Sequence, residues 1–166
     1  MTHLRPAIDA DIELVKRTLY TALAWDPEDP IPPFETVVTH PVIDIYWKGW
    51  MRPGDAGVVA ELEGEAVGMA YCRLFAADGG SQGFVDEAAP ELAVGVEAAH
   101  RNGGIGGRLI RSLAASLQDQ GVSRMSLSVN APNPAMRLYE RLGFEVARRH
   151  EDGVVMVAKI AALAAG

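Results

Sequence analysis

The chain has 166 residues, 49% of them apolar and 22% charged, with a net charge of −7. That composition belongs to a folded protein with a sizeable core, read as one domain over residues 1–166, and argues against disorder. The acid excess argues against a general nucleic-acid or anionic-membrane surface; it suits a cationic partner, or simply solubility.

The N-terminal stretch MTHLRPAIDADIEL has no apolar signal core, and no later run reaches membrane-spanning length, which predicts a soluble cytoplasmic protein. Within it, HLRPA reads as a short first strand. Acidic residues then open a helix that repeats Ile12, Val15, Leu19 and Leu23 at helical spacing. Pro27, Pro30, Pro32 and Pro33 forbid a continuous helix through WDPEDPIPPFE, and PVIDIYWKGWM resumes as a short one.

From Ala56 the period changes to two. GVVAELEGEAVGMAYCRLFA predicts a hairpin turning at Glu63-Gly64, with Cys72, the only cysteine, as a buried inert thiol. One cysteine allows neither an internal disulfide nor a cysteine zinc cluster, and His40 and His100 lack metal spacing, so no metal is expected. After a glycine-rich loop, ELAVGVE is a strand running into RNGGIGG. The next helix carries Ile105, Leu109, Leu113 and Leu117 on one face. SRMSLSV is a strand, and NPAMRLYERLGF is a punctuated helix with Asn133 as cap, Pro134 at its start and Gly143 at its end. EVARRH and GVVMVAKI form a last hairpin around Glu151-Asp152-Gly153. The order β-α-α-β-β-β-α-β-α-β-β predicts a mixed α/β sheet of seven strands covered by four helices.

A strand entering a glycine-rich turn and then a helix is suited to anions, because free N–H groups and the helix dipole converge there. Between Ala98 and Gln118 there is no acidic residue, while Arg101, Arg108 and Arg111 add three positive charges. A Rossmann fingerprint fails at Leu109, and a Walker A loop fails because Arg108 and Leu109 follow Gly107. A glycine turn with no ligand remains the alternative on spacing alone.

Arg101-Asn-Gly-Gly104-Ile-Gly106 resembles the Arg/Gln-x-x-Gly-x-Gly/Ala motif of the GNAT superfamily of N-acetyltransferases. The preceding strand ELAVGV and the following NAPNPAMRLYERLGF extend the likeness, and the element order carries it over nearly the whole chain. The resemblance implies a central, mostly antiparallel twisted sheet with a splayed central strand, and acetyl-CoA as co-substrate. It places the pyrophosphate on the backbone of Arg101, Asn102, Gly103, Gly104, Ile105 and Gly106, and the pantetheine arm on Val94 and Val96. Asn133 matches a residue that touches the cofactor, and Tyr139 the general acid. Glu91 matches a glutamate that serves as general base, with a solvated strand-end carboxylate as the other reading; Glu97, Asp86 and Glu87 are weaker candidates, and a water chain would need no base. A leaving thiolate of pKa near ~8.5 gains from a tyrosine donor of pKa about 10.

The expected activity is transfer of an acetyl group from acetyl-CoA to a primary amine of a small molecule in a ternary complex. The alternatives are a non-catalytic acyl-CoA-binding domain and an enzyme acting on protein N-termini or lysines. The resemblance also allows a homodimer. Trp25, Trp47 and Trp50 all lie in the N-terminal segment with Phe34 and Tyr46, among Asp26, Glu28, Asp29, Glu35 and Asp44. This clustering suggests a pocket for a small cationic amine, or else aromatic packing onto the sheet. Tyr71 and Arg73 are further residues expected to face the acceptor.

Overall fold

Period-two runs become strands wherever one face of each can be buried. The computed structural model describes residues 1–166. Its elements are β1 His3–Pro6, α1 Ile12–Leu23, α2 Phe34–Val38, α3 Pro41–Asp44, β2 Ala56–Leu62, β3 Glu65–Arg73, β4 Glu91–Val96, α4 Ile105–Asp119, β5 Arg124–Asn130, α5 Ala135–Leu142, β6 Glu145–His150, β7 Gly153–Lys159 and α6 Ile160–Ala165. The strands form one sheet in the order β1-β2-β3-β4-β5-β7-β6, and every pair is antiparallel except β4 and β5. The expected seven-stranded mixed sheet is therefore present.

The helix count is six rather than four. The expected helix in PVIDIYWKGWM ends at Asp44 and gives way to turns, with Gly49, Met51 and Gly54 at positive φ. Phe34–Val38 winds a separate turn and a half after the prolines. α6 lies beyond the last expected strand; it has no capping side chain and is held by Ile160 and Leu163, both fully buried.

Glu63 and Gly64 close the β2–β3 hairpin with φ of 53° and 84°, the left-handed pair that matches strand twist. Helices cover both sheet faces. On one side Leu109, Leu113 and Leu117 of α4 meet Met125, Leu127 and Met156; on the other Val15 and Leu19 of α1 meet Val59, Met69 and Trp50. Each fully buried leucine contributes about 1.5–3 kcal/mol, so these stripes fix where α1 and α4 sit. No helix is long and apolar enough to cross a membrane.

β4 and β5 share a single register pair, Glu91 with Ser126, supported by the Ser126 N–H donating to Pro90 at 3.0 Å. Beyond it the two parallel strands part. A gap thus opens in mid-sheet, narrow at Glu91 and wide toward Val96 and Asn130.

Candidate functional site

Antiparallel pairing alternates which backbone groups face the neighbour. Glu97 N–H donates to the Val67 carbonyl at 2.9 Å, so Gly95, Ala93 and Glu91 also turn their polar groups to β3. Val94 and Val96 must then turn theirs toward the gap. The guanidinium Nε of Arg101 takes the Val96 carbonyl at 2.9 Å, which leaves the Val96 N–H and both polar groups of Val94 open.

The chain then forms the turn RNGGIGG. Asn102 and Gly104 have φ of 64° and 85°, and the first helical bond of α4 is Arg108 N–H to Gly104 at 3.1 Å. The N–H groups of Asn102, Gly103, Gly104, Ile105, Gly106 and Gly107 donate to nothing in the protein. Left-handed residues alternating with right-handed ones curl such amides into an anion-binding concavity. The Arg101 N–H itself is occupied by Ala98, so the open row runs 102–107 rather than 101–106. A Cβ on Gly104 would meet nothing within 4 Å, whereas one on Gly106 would press Leu138 of α5 at 3.3 Å. Gly104 thus faces open space, and Gly106 serves the packing of α4 on α5.

Asn133 Oδ1 accepts from Ala135 N–H at 2.9 Å and so caps α5, as the sequence predicts, leaving its amide nitrogen unused. Tyr139 is 8% exposed and packs edge-on to Phe144 with ring centres 5.8 Å apart. Its hydroxyl has no hydrogen-bond partner, and burial alone pushes its pKa up to about 12. The phenol is therefore protonated throughout the neutral range.

Glu91, at the closed end of the gap, is 7% exposed and is no solvated carboxylate. Its Oε1 accepts the Gly83 N–H at 3.0 Å. Burial raises its pKa, opposed by the Tyr46 hydroxyl, the nearby Ser81 hydroxyl, the Gly83 amide and the charge of Arg148. Ser81 Oγ is buried with no partner of hydrogen-bonding geometry. The segment over Glu91 is pinned further by Tyr46, whose hydroxyl accepts from Gln82 N–H at 2.8 Å, and by Ser126, whose hydroxyl donates to Gly83 at 2.7 Å. Sequence reading misses Tyr46, Ser81 and Gly83 as neighbours of Glu91; the glycines of GGSQG were the only signal. Of the weaker candidates, Asp86 is paired with Arg124 and Glu87 is exposed, while Glu97 lies along a cavity beside Arg17.

The expectation that Tyr71 and Arg73 face an acceptor is overturned. Tyr71 is buried, donates to the Tyr46 carbonyl at 3.1 Å and meets Trp50 edge-on. Arg73, 1% exposed, grips Asp55 with two bonds of 3.0 and 2.7 Å and reaches the carbonyls of Ile45 and Lys48. A buried bidentate pair with four of the five guanidinium N–H donors bonded within the protein is structural. Trp47 and Trp50 are likewise packing residues, with indole N–H groups on Val38 at 2.7 Å and Ile8 at 3.0 Å. His40 Nδ1 caps α3 by accepting from Val42 N–H. Trp25 differs: it lines a cavity of about 300 Å³ with Asp26, Asp29 and Asn130.

Residues 19–144 match the family described as Acetyltransferase (GNAT) family. Three solved structures are similar in fold. The PaiA N-acetyltransferase from Thermoplasma acidophilum in complex with coenzyme A is 14% identical with a TM-score of 0.72, over 96% of this chain and 99% of that one. The ribosomal-protein-S18-alanine N-acetyltransferase from Escherichia coli is 20% identical with a TM-score of 0.66, over 96% and 94%. AAC(6')-Ib in complex with ribostamycin and coenzyme A is 22% identical with a TM-score of 0.63, over 97% and 94%. No curated protein matches the sequence at a significant level.

Proposed function

The chain belongs to the GNAT family of acetyltransferases, and we propose that it carries the acetyl group of acetyl-CoA to a primary amine of a small molecule by direct transfer in a ternary complex. One observation carries the reading: a row of unused amides, Asn102–Gly107, stands directly after a strand whose Val94 and Val96 backbone groups face a gap in the sheet. The row suits the pyrophosphate, and the strand edge suits the amides of the pantetheine arm. Coenzyme A in the fold neighbours supports the same occupant.

With the pyrophosphate on the row and the arm along Val96 and Val94, the thioester lies toward Leu92. There the amine attacks the carbonyl carbon, the carbon–sulfur bond breaks, and the amide and free thiol are the products. A backbone N–H of β4 facing the gap stabilises the oxyanion. Tyr139 gives its proton to the departing sulfur and recovers one from solvent. Glu91 takes the proton that the amine must lose, directly or through water; its raised pKa brings it closer to the range in which a base works. Asn133 holds the start of α5, and with it Tyr139, while its free amide nitrogen contacts the cofactor. The cavity walled by the α1–α2 segment supports a small acceptor over a protein one. The test is thiol release from acetyl-CoA across polyamines, aminoglycosides, amino acids and short peptides. Amine-dependent release is expected. Tight acetyl-CoA binding with no release from any amine would leave the binding-domain alternative in place.

A further inference from the structure

We infer that the acceptor carries a second cationic group besides the nitrogen that is acetylated, and that Trp25, Asp26 and Asp29 hold it at the wide end of the gap. The inference rests on the acetyl-transfer reading for the position of the reacting nitrogen. The cavity that Trp25 lines is bounded by Leu23, the last residue of α1, and by Asn130, the last residue of β5. It therefore borders the β5 edge of the gap, at its wide end, on the α1–α2 side. Asp26 and Asp29 take part in none of the ion pairs of the molecule. Asp26 Oδ1 accepts from Glu28 N–H at 3.0 Å, and its other oxygen has no partner. An indole beside two uncompensated carboxylates, with Val37 as an apolar wall, is chemistry for an alkylammonium.

Charge is divided along the chain in the same sense. Residues 1–99 hold six lysines and arginines against seventeen aspartates and glutamates, a net −11; residues 100–166 hold nine against five, a net +4. The amide row belongs to the basic part, and every cavity residue except Asn130 to the acidic part. The amide row and the cavity are thus built from chain stretches of opposite net charge.

The carboxylates cannot serve the reacting nitrogen, which has to be neutral to attack; they serve one that stays charged. Strand geometry gives the separation. Glu91 is level with Ser126, so Leu92 is level with Leu127, and Asn130 lies three residues further along. At about 3.3 Å per residue the cavity is roughly 10 Å from the thioester level. The acceptor class is therefore a linear diamine or triamine whose outer nitrogens span about that length.

Straight-chain diamines of increasing length, each compared with the monoamine of equal length, test this in the thiol-release assay. The expected kcat/KM peaks near the stated span and exceeds the monoamine's by about tenfold, the product of two solvent-screened charge contacts of about threefold each. Asp26→Asn with Asp29→Asn erases that preference, and Trp25→Leu reduces it; Asp29→Asn alone, at an exposed position, is the safeguard against misfolding. Calorimetric titration of the best diamine into the protein with coenzyme A gives a readout independent of turnover. Diamine binding that depends on the carboxylates, without turnover of any amine, would uphold the cation site and overturn acetyl transfer. Turnover with no preference for diamines, or a preference indifferent to the double substitution, overturns the inference and leaves acetyl transfer standing.

Discussion

Tyr139→Phe separates chemistry from packing because the hydroxyl it removes has no partner to orphan. The ring is 8% exposed and rests on Phe144, and phenylalanine keeps that contact. Deleting a hydroxyl that bonds to no protein group, and whose oxygen is not among the buried unpaired atoms, changes stability by less than about 1 kcal/mol, so folding and acetyl-CoA affinity should hold. A proton donor in the transition state is worth ~10²–10⁴ in rate, and the low end applies because a thiolate of pKa ~8.5 leaves with little help. The expected loss is about a hundredfold in kcat, or about 2.7 kcal/mol of barrier, with KM for acetyl-CoA within about twofold. A pH series adds a second check. Burial lifts the Tyr139 pKa to about 12 from an ordinary 10.0, so the donor stays protonated and kcat should not fall between pH 8 and 10 on its account. The same raised pKa contributes stability that is complete below pH 10 and lost as pH rises through 12, so the variant's stability should decline less over that interval. Steady-state kinetics with thermal denaturation read both. A kcat within twofold of the wild type, at unchanged Tm, would return Tyr139 to the core and refute its role as acid.

Glu91→Gln keeps an oxygen for the Gly83 amide but cannot take a proton. Because burial raises the Glu91 pKa, ionising it works against the fold as pH rises through that value. The variant should therefore gain stability relative to wild type as pH rises above the ordinary carboxyl value of 4.5, while kcat/KM falls at least about tenfold. Full activity with gained stability would make Glu91 an anchor of the 81–84 segment and nothing more. Gly104→Val places a branched side chain at φ 85° and over the amide row, so acetyl-CoA Kd should rise at least about tenfold, with ~1–2 kcal/mol of backbone strain. Unimpaired affinity by calorimetry would remove the row from the cofactor site. Arg73→Met strands the Asp55 carboxylate in the core and should cost about 3–5 kcal/mol, lowering Tm by roughly 10 °C. Adding Asp55→Leu should restore much of it, and no recovery would shift the weight to the Ile45 and Lys48 carbonyl contacts.

The strands, α1 and α4 were legible because their burial is one-sided and periodic: Leu109, Leu113 and Leu117 can lie on one core only if the segment is helical. α6 was not legible. IAALAA carries no cap and little pattern, and its shape comes from Ile160 and Leu163 docking beside α4. The short reach of α3 hides in Gly49, Met51 and Gly54, whose left-handed φ values a propensity argument does not foresee, least of all at Met51. At the site, the open backbone of β4 and of the turn after it was readable because glycines and strand parity are local properties. Side-chain roles were less so. Tyr71 and Glu91 both project from strands toward the α1–α3 side, yet only the fold decides that Tyr71 meets Trp50 while Glu91 meets Gly83. The three tryptophans look alike in sequence; two are sealed by backbone carbonyls and one lines a cavity, a distinction made by residues distant in the chain.

With one register pair between β4 and β5, the sheet is mechanically two ribbons, β1 to β4 and β5 to β7, stitched at a point. Every ladder inside each ribbon joins strands that are neighbours or next neighbours in sequence, so each ribbon is built from its own continuous stretch of chain, His3–Val96 and Arg124–Lys159. Amide exchange in the native state should sort into two cooperative sets that meet at Glu91 and Ser126, with the Val94 and Val96 amides belonging to neither. A molecule that bridges the gap would be read there as a change in linkage between the two sets. Catalytic occupancy and global cooperativity are in that sense the same measurement.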